Sequence, residues 1–246
     1  MTNQPDIRIL PDKAALAAAA ADYVSTMAAD CIQQKGRFVL VLTGGSTPGG
    51  VYRLLAQEPH RSRIAWDNLY ILWDDERFVP ADHPDNNSRM ACELLLNHVA
   101  INPDQVHLIR TDFPDMYQAA DAYNDIVQSV LEINAGQFDL VMHGMGADAH
   151  TASLFPNHPA LDAPAGRLVT AIDEAPKPPT QRISLTAEAL NKALVSMFLV
   201  AGADKADAVQ RVLRGPRNPR SAPAQLIQPV SGQLIWMLDA AAAARL

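Results

Sequence analysis

Three short stretches of the 246-residue chain carry side chains that do chemistry, two of them together with glycines that let a ligand approach. The richest runs His143-Gly144-Met145-Gly146-Ala147-Asp148-Ala149-His150-Thr151-Ala152-Ser153-Leu154-Phe155-Pro156. An imidazole titrates near neutrality and a nearby carboxylate can fix its tautomer, so Asp148 and His150 suit a general base held by an acid. A second stretch, Thr43-Gly44-Gly45-Ser46-Thr47-Pro48-Gly49, offers paired glycines whose backbone amides can face an anion at a helix start. The hydroxyls of Ser46 and Thr47 add donors, and the lack of a following Gly-Lys-Ser/Thr argues against a triphosphate loop. In the third, Asp74-Asp75-Glu76-Arg77, carboxylates suit acid/base work or sugar hydroxyls, and Arg77 suits bidentate contact with phosphate. Arg182 and Lys205 are two further cations beside apolar strand-like runs, each able to clamp a phosphate. Taken singly, each feature has a plain alternative: a capping turn, a solvated charged loop, a structural histidine. Taken together, loops offering Gly-Gly-Ser-Thr, Arg, Asp-x-His and Lys point to a phosphorylated small molecule.

Other chemistries fit less well. Gly144, Gly146 and Ala149 match a loose dinucleotide fingerprint, but prolines from Pro156 onward interrupt the long helix and the distant acid that fingerprint needs. His143, His150 and His158 have no compact ligand spacing and no thiolate beside them, so no metal is expected. Ser153 lacks the Gly-x-Ser-x-Gly elbow of a serine hydrolase.

The elements that must position these groups are legible as alternation. Short β-rich runs at Phe38–Leu42, Leu69–Trp73, Phe138–Met142, Ile183–Leu185, Met197–Val200 and Leu234–Leu238 are separated by amphipathic stretches. That pattern predicts an α/β fold with a mainly parallel sheet. Crossover helices are expected within Gly49–Gln57, Ser88–Val99, Met116–Ile133 and Ala203–Leu213, with a first helix at Ala14–Ala21. Six prolines crowd the stretch from Ser153 to Thr180, which reads as a long irregular excursion inside one domain spanning residues 1–246, with the flanking strands in one sheet. Hydrophobic residues make up 48% and charged residues 19%, which excludes wholesale disorder. The net charge of -7 disfavours generic binding to nucleic acid or to an anionic membrane. Cys31 and Cys92 lie in no ligand or disulfide pattern, and no apolar run spans a bilayer, so a cytoplasmic protein with reduced thiols is expected.

With those residues in place, the chain resembles the 6-phosphogluconolactonase family, part of the wider group that shares the fold of glucosamine-6-phosphate isomerase/deaminase. The carriers are Leu42-Thr-Gly-Gly-Ser-Thr-Pro48, Trp73-Asp-Asp-Glu-Arg-Phe-Val-Pro80 with Asn86-Asn87, Gly144 to Pro156, Arg182-Ile-Ser-Leu185, Gly202 to Lys205, Pro223-Ala224 and Trp236 to Ala241. His-Thr-Ala-Ser-Leu-Phe-Pro is the segment that separates lactonases from deaminases. The family usually has Pro and Gly where Ala147 and Ala149 stand, and Ser-Asn where Asn86-Asn87 lies. A methyl group at 149 is costly if that position needs a positive φ.

The resemblance implies an open, mainly parallel sheet with helices on both faces, a Rossmann-like (NagB-type) sandwich. It implies hydrolysis of 6-phospho-D-glucono-1,5-lactone in the oxidative pentose phosphate pathway, without a cofactor. His150 would activate water and Asp148 would support it. Gly44, Gly45, Ser46, Thr47, Asp75, Arg77, Asn87, Arg182 and Lys205 would hold the substrate. A glucosamine-6-phosphate isomerase/deaminase-like enzyme and a non-catalytic sugar-phosphate sensor are the alternatives.

Overall fold

The computed structural model describes residues 4–246. Its centre is a six-stranded, all-parallel sheet of β1 (Asp6–Leu10), β2 (Phe38–Leu42), β3 (Leu69–Trp73), β5 (Phe138–His143), β8 (Ala193–Val200) and β9 (Gln233–Asp239). β2 reads Phe-Val-Leu-Val-Leu and is buried at every position, as a strand covered on both faces has to be. Helices α1 (Lys13–Lys35), α2 (Ser46–Leu55), α3 (His60–Arg63), α4 (Asn87–Leu94), α5 (Met116–Ile133), α6 (Ala187–Leu190) and α7 (Ala206–Leu213) fill the connections. The first helix is far longer than the Ala14–Ala21 core expected from sequence. Asp12 caps it by accepting a hydrogen bond from Ala15 N, and Gly36 ends it in the left-handed region, donating its N–H to Ile32 O.

Strand order across the sheet is β1-β9-β8-β5-β2-β3. From β2 the chain steps outward to β3, then returns across β2 to β5. Right-handed crossovers in opposite directions place α2 and α5 on opposite faces of the sheet. The order therefore reverses between β2 and β5, and a crevice opens there at the carboxyl ends of the strands.

One expectation is corrected. The run around Ile183–Leu185 does not join the main sheet; β7 (Arg182–Leu185) is the middle of a separate antiparallel sheet, between β4 (Asp75–Arg77) and β6 (Val169–Ile172). The junction is Asp74, whose N–H donates to Leu42 O while its carbonyl accepts from Leu185 N, each at 2.8 Å. The chain thus leaves the main sheet one residue after β3 and pairs with β7. β4 and β6 are only three and four residues long, too short to carry a period-2 pattern. The small sheet stands as a wall beside the crevice, against α5.

At the opposite end of the sheet, Asp139 ties three elements together. Its fully buried carboxylate accepts from Lys35 Nζ at 2.5 Å and from Val39 N at 2.8 Å. Replacing it with Ala leaves the buried Val39 amide unpaired and takes the acid partner from Lys35, which keeps only Asn134 Oδ1. Asp139→Ala is expected to cost about 2–3 kcal/mol in urea unfolding while leaving the far crevice intact; a loss below about 0.5 kcal/mol, within the range of ordinary surface changes, would contradict this role.

Candidate active site

The crevice is a cavity of about 380 Å³ whose wall includes the Gly44–Pro48 loop, Asp75, Arg77, Gly146, His150, Arg182 and Lys205. All four strand-end loops picked out from sequence therefore meet in one place. A larger cavity, about 480 Å³, lies between the end of α7 and the start of β9 and contains none of these residues.

The turn after β5 builds an acid–imidazole pair. His150 Nδ1 lies 2.5 Å from Asp148 Oδ1, and the His150 backbone N–H donates to the same oxygen at 3.3 Å. Partial burial works against ionisation of Asp148, but hydrogen bonds from His150 and Lys177 prevail and hold its carboxyl well below the usual carboxylate range. The folded value lies below the ordinary 3.8, so the stabilisation Asp148 gives is complete above that pH and is lost only as pH falls through the lower folded value. An ionised Asp148 can only accept, so the short contact requires a proton on Nδ1 and leaves the Nε2 lone pair for other work. Phe155 packs against the imidazole, ring centres 4.7 Å apart.

Two backbone features permit this turn. A Cβ on Gly146 would overlap the side chains of both Asp148 and His150, so only glycine fits there. Ala149 is fully buried at φ 70, the left-handed conformation that a glycine adopts at no cost. Its methyl group costs about 1–2 kcal/mol. The hydrogen bonds from Ala149 N to Gly146 O and from Ala224 N to Ala149 O hold it there.

His143, the first residue of the same motif, has a different setting. It is fully buried and stacked on Phe198, which stacks in turn on Trp236. Burial pushes its pKa down to about 3, so it is a neutral core residue. Among the described residues, no group of three His, Cys, Asp or Glu side chains is arranged to hold a metal ion.

A buried polar network forms the wall opposite the imidazole. Asp75 accepts from Asn87 Nδ2 at 3.0 Å and from Ser153 Oγ at 2.5 Å, with Arg182 Nη1 3.8 Å away. Asn87 sits in the first turn of α4, where Asn86 supplies the cap by accepting from Arg89 N. A Cβ on Gly44 would overlap the Asn87 amide, so the first glycine of its loop is there for close approach. Glu76 turns away from the cavity and accepts from the backbone N–H groups of Arg77, Asn87 and Ser88. Burial pushes its pKa up to about 7 against those three donors. Arg182 is buried and commits three of its five N–H donors within the protein, Nε to Pro179 O, Nη2 to Lys177 O and Nη1 to Ser153 Oγ, while still lining the cavity. It also lies over the Phe155 ring, and so braces both the 177–179 backbone and the ring behind His150.

The remaining wall is set up for an anion. Helix α2 begins at Ser46 behind Gly45, which supplies no side-chain cap, leaving the amides of Ser46 and Thr47 open to the cavity beside their hydroxyls. Arg77 donates Nη1 to Asp85 O, and Lys205 lies 3.1 Å from Asp204. Sequence reasoning missed Lys177, whose Nζ lies 2.7 Å from Asp148 Oδ2 and 3.5 Å from His150 Nδ1. It also missed Ser153 as a partner of Asp75, and Lys13, which donates to Ser46 Oγ at 2.8 Å. All three reach the site through contacts remote in sequence. The one local signal was at Lys13, a cation in the first turn of a helix, where the helix dipole disfavours it.

Comparison with known proteins agrees with this geometry. The family model for glucosamine-6-phosphate isomerases/6-phosphogluconolactonase matches residues 11–236. A 6-phosphogluconolactonase of a Nostoc species is 38% identical over 243 residues, covering 98% of each chain. The solved structure of the 6-phosphogluconolactonase of Trypanosoma brucei superposes with a TM-score of 0.84 at 28% identity, over 99% of each chain. A monomeric glucosamine-6-phosphate deaminase superposes with a TM-score of 0.82 at 20% identity, which speaks for the fold alone. On these matches the chain belongs to the glucosamine-6-phosphate isomerase/6-phosphogluconolactonase family, on its 6-phosphogluconolactonase side.

Proposed function

We propose that the protein hydrolyses 6-phospho-D-glucono-1,5-lactone to 6-phospho-D-gluconate, the second step of the oxidative pentose phosphate pathway, with His150 as general base. The observation that carries this reading is the 2.5 Å Asp148–His150 contact in the same cavity as the uncapped start of α2. His150 Nε2 takes a proton from water as the water oxygen attacks the lactone carbonyl carbon. The imidazolium so formed is stabilised by Asp148 and returns the proton to the ring oxygen as the bond from C1 to that oxygen breaks. The product is the open acid, with no oxidant, reductant or cofactor consumed. Asp75 and Asn87 are suited to the sugar hydroxyls, and the 44–47 loop with Arg77, Arg182 and Lys205 to the anionic end and to charge developing on the carbonyl oxygen.

The deaminase alternative is weaker because no acid follows His150 between Thr151 and Pro156, and the apolar Phe155 ring packs against the imidazole. A pure sensor has no need of an acid–imidazole pair. Cys31 and Cys92 are both free, which suits a reducing, cytoplasmic setting.

The test is turnover of the phosphorylated lactone above its spontaneous hydrolysis, with glucosamine 6-phosphate as the competing substrate. Hydrolysis of the lactone alone is expected; deamination of the amino sugar would favour the alternative. His150→Ala is expected to lose about 10²- to 10⁴-fold in turnover with unchanged circular dichroism, and Asp148→Asn less. A folded His150→Ala protein with near-normal turnover would remove His150 from the mechanism. Gly146→Ala makes a separate prediction: a Cβ there displaces the imidazole and its partner, so kcat should fall about 10-fold or more while both residues are still present. Unchanged kcat in that variant would mean that the pairing geometry is irrelevant.

A further inference from the structure

The cavity wall carries four cationic side chains, Lys13, Arg77, Arg182 and Lys205, and two carboxylates, Asp75 and Asp204. In a chain with a net charge of -7, this is a local surplus of two positive charges. The carboxylates are already matched: Asp75 faces Arg182 at 3.8 Å and Asp204 faces Lys205 at 3.1 Å. Among the described residues, no carboxylate pairs with Lys13 or Arg77. Lys13 is also the only one of the four that lies outside the motifs that carry the family resemblance, since it opens α1.

Its position is unfavourable without a ligand. Lys13 is the first residue of a 23-residue helix whose opening turn carries no acid, so its charge faces the positive end of the α1 dipole. Its Nζ is held 2.8 Å from Ser46 Oγ, at the first residue of α2, whose N-cap Gly45 supplies no side-chain hydrogen bond. Two helix starts and an ammonium thus converge beside the cavity, and the Asp12 carboxylate that caps α1 is engaged with Ala15 N rather than with Lys13. A lysine that breaks a local rule beside a ligand cavity marks a functional site more often than a structural one.

We propose that Lys13 is a specificity-determining residue that binds the phosphate of the substrate, working with the open amides and hydroxyls of the 44–47 loop. The inference rests on the phosphorylated-lactone reading and deepens it. A dianionic phosphate monoester neutralises the surplus charge and accepts from the ammonium, from Ser46 Oγ and from the first amides of α2. An unphosphorylated lactone gains none of this.

The experiment compares wild type, Lys13→Met and Lys13→Arg on 6-phospho-D-glucono-1,5-lactone and on unphosphorylated glucono-1,5-lactone, with inorganic phosphate binding measured separately by calorimetry. Lys13→Met should raise KM for the phosphorylated lactone about 5- to 20-fold, as expected for one charge-assisted contact at an exposed site, and leave kcat and the unphosphorylated substrate unchanged. Lys13→Arg should recover most of the loss, and the gap between wild type and Lys13→Met should narrow at high salt. Removing the cation from the helix start should also leave the melting temperature equal or higher, which a structural role for Lys13 would not. Equal losses on both lactones, a lower melting temperature, or phosphate binding unaltered in Lys13→Met would each overturn the proposal. If wild type does not hydrolyse the phosphorylated lactone, the proposed reaction falls, and the phosphate titration still decides on Lys13 by itself.

Discussion

The reversal of strand order between β2 and β5 is the constraint from which the site follows. Because the connection after β2 runs outward to β3 and the one after β5 runs the other way to β8, the loops after β2 and β5 are not covered by a connecting helix and face each other across a gap. The two loops lie close together: a Cβ on Gly144 would reach within 3.8 Å of Gly44 O. The amides of one loop and the imidazole of the other can therefore reach a single small molecule. The sheet supplies this arrangement before any catalytic residue is chosen.

The small antiparallel sheet completes the site by bringing Arg182 to it. Asp74 sits at the junction of the two sheets, where burial and the neighbouring Asp75 raise its pKa well above the ordinary carboxylate value. Asp75, one residue on, is held among Asn87, Ser153 and Arg182. Arg182 on β7 then braces the backbone at Lys177 and the ring of Phe155, both of which touch the Asp148–His150 pair. Two loops remote in sequence are thereby stiffened around one imidazole, which is what positioning a general base requires.

The parts legible in the sequence were those whose signals are local. Phe38–Leu42 and Leu69–Trp73 coincide with β2 and β3 because continuous buried runs bounded by glycine or charge have few other solutions. The helix expected at Met116–Ile133 was met residue for residue, with Asp115 as its cap. The warning at position 149 was legible too, since the alanine there does adopt a positive φ. The second sheet was not, because its pairing of β4 with β7 joins segments about a hundred residues apart and β4 is three charged residues long. Lys177 and Lys13 stayed hidden for the same reason. A lysine among prolines and a lysine at a helix start become site residues only once the fold brings Asp148 and Ser46 to them.

The central claim is that one cavity binds the phosphate at the start of α2 and presents the lactone carbonyl to His150. The most direct test is a crystal structure of the protein with 6-phospho-D-gluconate, the proposed product. The account predicts phosphate oxygens on the backbone amides and hydroxyls of the 44–47 loop and the C1 carboxylate within hydrogen-bond distance of His150 Nε2. A product bound the other way round, with its phosphate against His150, or seated instead in the larger cavity beside Trp236, would contradict it.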